Sequence, residues 1–138
     1  MTTKKLILEE MDEELEREVA EEMDQEMTGA VKLMRDVCHA ETGVDLSLVD
    51  KVNGGADLMP DPSLKCYMKC VMERAGLLPE GGVVDVDAVI ALLPPKLSEK
   101  NAAALRACGA WKGIDDCDTA YLTQVCWQNA NKADYFLI

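Results

Sequence analysis

Six cysteines, Cys38, Cys66, Cys70, Cys108, Cys117 and Cys126, are the residues of this chain best suited to chemistry, in the spacing C-x27-C-x3-C-x37-C-x8-C-x8-C. Thiols can ligate a metal, act as nucleophiles or pair as disulfides. A zinc site fits poorly, because there is no C-x2-C pair and His39 is the single histidine. His39 follows Cys38 directly, and neighbours on a helix point about 100° apart, so the two do not form a nucleophile and its base. His39 reads instead as a surface residue. Pairing is the remaining reading, since an even cysteine count in a short chain marks a disulfide framework.

Geometry restricts that framework without completing it. Cys66 and Cys70 lie four residues apart, one above the other on a helix face, where both thiols address neighbouring elements and cannot comfortably join each other. If Cys117 and Cys126 share a helix, roughly 13 Å of axis and half a turn separate them. Of the 15 conceivable pairings, ten survive these two exclusions. No other catalytic pattern stands out. Gly-x-Ser-x-Gly, a phosphate-cradling glycine loop and a calcium loop are all missing, and Asp85-x-Asp87 lacks the later calcium ligands. None of the 26 acids is singled out as a catalytic pair.

A chain of 138 residues reads as one domain, able to bury roughly two-thirds of its unfolded surface without a metal or other cofactor. Three disulfides place it in an oxidising, extracellular compartment. Leu6-Ile7-Leu8 is too short for the apolar core of a signal peptide, so the sequence reads as a mature secreted chain. No apolar run approaches the roughly 18 residues of a membrane span. A net charge of −12 argues against nucleic acid and anionic lipid as partners, because both require basic patches.

The elements that must position the cysteines read as helices throughout. Residues 1–29 form an acidic N-terminal extension in which Met11, Leu15, Val19, Met23 and Met27 recur every four residues, with a bend expected at Thr28-Gly29. A second helical segment runs from Ala30 to about Ala40 and is ended by Gly43. Asp45 caps a short helix through Val52, stopped by Asn53-Gly54-Gly55. Asp61 or Ser63 caps the central helix, which carries Cys66 and Cys70 and ends at Gly76. Val83-Val84 can pair briefly as an extended piece. Asp85 caps a helix with Val86, Val89, Ile90 and Leu93 on one face, ended by Pro94-Pro95. Ser98 is expected to cap the next, which reaches Cys108. Asp115 or Asp116 starts the last helix, and residues 132–138 form a tail.

With Cys-Tyr-Met-Lys-Cys at 66–70, Gly81-Gly82, Cys-Trp-Gln-Asn-Ala at 126–130 and a terminal Asp-Tyr-Phe-Leu-Ile, the chain resembles the six-cysteine insect odorant-binding proteins, mosquito members in particular. The likeness covers residues 30 to 138. It implies an all-α fold of six or seven helices, with three disulfides around an internal apolar pocket. The family pairing then joins Cys38 with Cys70, Cys66 with Cys117 and Cys108 with Cys126. Matching positions give a pocket lined by Val86, Val89, Ile90, Leu93, Leu97, Ala102, Leu105, Leu122 and Phe136. The tail folds over that pocket, its terminal carboxylate at Ile138 held by Arg35 and Tyr67, a contact that acid would weaken.

The implied function is carriage of a small hydrophobic volatile through antennal sensillum lymph toward olfactory receptors, met indirectly. Alanines at 102–104, where mosquito relatives carry methionines, leave room for a flat aromatic ligand. Met72 and Leu77 stand where an alcohol-binding relative has hydroxyls, which argues against alcohol selectivity. The resemblance allows a homodimer or a pairing with a related odorant-binding protein. Two other readings remain open: a carrier of another small hydrophobic molecule in saliva or haemolymph, and a stapled interaction module docking through the acidic first helix.

Overall fold

The computed structural model describes residues 29–137. The chain divides into two units, residues 1–33 and 34–138; of the first, only the helical residues 29–33 are described. The periodic acidic stretch and Thr28 of the expected bend therefore lie outside the described residues, as does Ile138, whereas Gly29 is helical.

Among the described residues there are six helices and no strand. Helix α1 is described over residues 29–42 and carries Cys38. It stops at Gly43, whose N–H donates to His39 O at 2.8 Å. Four helices then start on an aspartate whose carboxylate accepts a backbone N–H of the first turn, the donors that a helix cannot satisfy itself. Asp45 caps α2 (Leu46–Asn53), Asp61 caps α3 (Pro62–Arg74), Asp85 caps α4 (Val86–Leu92), and Asp115 caps α6 (Asp116–Ala130).

Helix α5 (Pro95–Cys108) differs. It begins at Pro95, three residues before the expected cap Ser98, and no side chain caps it. Proline at the first helical position has no N–H to satisfy and a φ already suited to the helix. Ser98 thus sits inside the first turn, where its hydroxyl donates to Pro95 O at 3.0 Å.

Helix α3 ends in a Schellman motif. Leu77 N–H reaches back to Met72 O at 2.8 Å and Gly76 N–H to Glu73 O at 3.1 Å, with Gly76 at φ +76°, a conformation that costs glycine little. This turn sends the chain toward α4. Val83 and Val84 are non-helical but build no strand; Asp85 N–H donates to Leu77 O at 2.8 Å, and Val84 is buried.

The core follows the central helix. Leu64, Tyr67, Met68, Val71 and Met72 of α3 are buried, and each such aliphatic side chain contributes about 1.5–3 kcal/mol. Helix α3 packs mainly against α6, while α5 lies against both α4 and α6. Val44, Val49 and Val52 near α2, Val89 of α4, Leu105 of α5 and Leu137 of the tail are buried as well.

Candidate ligand-binding site

Three disulfides tie these helices into one frame. Cys38–Cys70 joins α1 to α3, Cys66–Cys117 joins α3 to α6, and Cys108–Cys126 joins α5 to α6, with Cα separations of 5.6, 4.5 and 5.9 Å. Cys66 and Cys70 share α3 and bond to other helices, not to each other. Cys38, Glu41 and Cys70 bring three potential metal-ligating atoms within 4.8 Å of one another. Both sulfurs are spent in a disulfide, however, and Glu41 pairs with Arg74 at 2.9 Å, so this cluster offers no thiolate to a metal.

The candidate pocket residues fall on neighbouring elements. On α4 and its C-cap, Val89 is buried, while Val86, Ile90 and Leu93 are partly buried against the core. On α5, Leu105 is buried and Leu97 and Ala102 are half-buried. Leu122 on α6 is half-buried. Phe136 stands apart, 50% exposed in the tail.

The tail is held by contacts that the sequence alone does not reveal. Asn101 Nδ2, on α5, donates to Asp134 Oδ2 at 3.1 Å, and Asn131 Nδ2 donates to Asn101 Oδ1 at 2.7 Å and to Asp134 Oδ2 at 3.1 Å. Lys100 pairs with the same carboxylate at 3.2 Å. The Asn101 amide, followed by Lys100 and Asn131, holds the Asp134 pKa below its ordinary 3.8. Further along, Tyr135 donates its hydroxyl to Gln124 Oε1. Burial pushes the Tyr135 hydroxyl pKa well up. Leu137 is held on both backbone groups by Asn53.

The terminal carboxylate expected to meet Arg35 and Tyr67 lies outside the described residues. Arg35 Nη2 pairs with Asp50 at 3.1 Å. Tyr67 is completely buried; burial raises its hydroxyl pKa, and the nearby Arg35 charge partly opposes that rise.

Asn53, Asn101, Gln124 and Gln128 escape a reading based on apolar periodicity. Gln128 accepts Leu58 N–H at 2.9 Å and donates to Ala56 O at 2.9 Å, fastening the segment before α3 to α6. The available signal is that Gln124 and Gln128 repeat at four residues on the cysteine-bearing helix, which puts two amides on one face.

Among the described residues the frame is all-helical, with crosslinks between α1, α3, α5 and α6 and apolar side chains of α4 and α5 packed against the core. The PBP/GOBP family pattern matches residues 20–130, and the chain belongs to that family, whose members bind odorants and other small hydrophobic ligands. It is 31% identical over 101 residues to general odorant-binding protein 69a of Drosophila melanogaster, covering 73% of this chain and 68% of that one. To odorant-binding protein 10 of Aedes aegypti it is 35% identical over 97 residues, covering 70% and 69%. A solved structure of a fatty acid binding protein from the oral disk of the blowfly Phormia regina superposes with a TM-score of 0.62 at 31% identity, covering 78% of this chain and 93% of that one.

Proposed function

We propose that this protein takes up a small hydrophobic volatile in its apolar interior and carries it through an aqueous extracellular fluid, the sensillum lymph, toward olfactory receptors. The observation that carries this reading is the three-disulfide frame with Val89 and Leu105 buried on facing helices, in a chain about one-third identical to odorant-binding proteins. Crosslinks of this kind offset the packing that an internal space forfeits. Val86, Val89, Ile90, Leu93, Leu97, Ala102, Leu105 and Leu122 line the space, and the tail with Phe136 closes it.

Release by acid belongs to this proposal through the Ile138 carboxylate, Arg35 and Tyr67. The Asp134 contacts do not serve it at mildly acidic pH, because that carboxylate is held below its ordinary value. A homodimer, or a complex with a related odorant-binding protein, is part of the same reading.

The blowfly relative favours a second ligand class. That protein binds fatty acids and comes from a mouthpart, so a carrier of a longer apolar molecule in another secreted fluid, saliva or haemolymph, is the alternative. Displacement of a fluorescent apolar probe from fully oxidised protein separates the two. Volatiles displacing at micromolar concentration support the odorant carrier, preference for fatty acids supports the alternative, and a probe that never binds contradicts both.

A further inference from the structure

The buried stripe of α6 contains one hydrogen-bond donor without a partner among the described residues, and a second that meets only a thioether. Its other polar members are provided for: the Thr123 hydroxyl donates to Thr119 O at 2.9 Å, and Gln128 uses both ends of its amide on Ala56 and Leu58. Trp127 Nε1 is buried and has no hydrogen-bond partner among the described residues. Gln124 is 7% exposed. Its Oε1 receives the Tyr135 hydroxyl, which fixes the amide orientation, and Nε2 donates to the Met72 thioether at 3.3 Å. Sulfur is a weak acceptor, and the amide nitrogen carries two N–H groups. A buried donor without a good acceptor costs free energy, so such groups call for a partner.

Gln124 and Trp127 lie three residues apart, on adjacent turns of the same face. Tyr135 belongs to the tail, which the reading above sets over the pocket. We propose that Gln124 and Trp127 form a donor end of the ligand site, positioned by Tyr135, and that the preferred ligand is an apolar molecule bearing an acceptor oxygen, such as a ketone, aldehyde or ester. The inference rests on the carrier reading and narrows it. An all-hydrocarbon ligand leaves the indole donor unanswered and the amide on a weak sulfur acceptor, whereas a carbonyl oxygen accepts from either without bringing a donor proton of its own.

Methyl nonyl ketone and undecane, equal in chain length, form the test pair. In protein labelled with nitrogen-15, the Trp127 indole N–H resonance, distinguished from that of Trp111 by Trp111→Phe, is expected to move downfield with the ketone and little with the alkane. Gln124→Leu and Trp127→Phe are each expected to weaken ketone binding about three- to tenfold while leaving undecane within about twofold. An indole signal indifferent to both bound compounds, or a ketone-to-alkane ratio unchanged in both variants, overturns the donor end and leaves the carrier standing. If neither compound displaces the probe from oxidised protein, the carrier and the donor end fall together.

Discussion

Asn53 holds Leu137 by both of its amide groups: Nδ2 donates to Leu137 O at 2.7 Å, and Leu137 N–H donates to Oδ1 at 2.7 Å. A side chain at the end of α2 thereby plays the part of a paired strand for the last turn of the tail, across 84 residues of sequence. Neither group titrates near physiological pH, so this hold persists in acid.

Removing it should free the tail end. Asn53→Ala loses two hydrogen bonds, a cost of about 1–3 kcal/mol, and hydrogen exchange at residues 135–137 should accelerate while the α3 amides stay protected. Unchanged exchange in the tail contradicts the clamp.

Asp134 is expected to behave differently from a release switch. Its folded pKa lies below 3.8, so its contribution is fully present above the unfolded value and is lost as pH falls through the folded one. Between pH 7 and 5 the contacts to Asn101 and Lys100 should stay intact. Carboxyl carbon NMR checks this directly: a midpoint below 3.8 is expected, and one at or above 3.8 refutes the assignment.

Gly113 cannot accept a side chain without movement. A Cβ built there falls 2.7 Å from the backbone carbon of Asp118, not merely against a flexible side-chain tip. Gly113 N–H also donates to Thr119 Oγ1 at 2.9 Å, and Ile114 N–H to Asp118 Oδ2 at 3.0 Å, so the loop is fastened to the start of α6. Gly113→Ala is expected to destabilise by about 1–3 kcal/mol in urea unfolding, and a neutral result would show that the loop yields.

The disulfides close loops of unequal length. Cys66–Cys117 spans 51 residues and Cys108–Cys126 spans 18. Replacing the first pair by serines should cost about 1 kcal/mol more than replacing the second, by the loop-closure entropy alone. Comparison of the two double variants by denaturant unfolding measures the difference; a reversed order would mean that lost packing, not chain entropy, dominates.

Much of the fold was legible in the residues because its signals are local. Aspartates before apolar periodic stretches mark four helix starts, and Gly76 marks the end of α3. The start of α5 is not legible in the same way, since Ser98 resembles a cap while Pro95 needs none. Spacing left ten disulfide pairings open; selecting among them took the family resemblance, because pairing depends on how helices meet. The tail contacts were hidden for a related reason. Asn53, Asn101 and Gln124 look like surface residues until tertiary packing buries their amides beside distant backbone and side chains.

The claim that an apolar ligand sits between α4 and α5 is tested most directly by methyl NMR of the oxidised protein titrated with a displacing volatile. Shifts should concentrate on Val86, Val89, Ile90, Leu93 and Leu105, and spare Ile114, which is 94% exposed. Perturbation confined to Ile114 and other exposed methyls, or none at saturating ligand, contradicts an internal site.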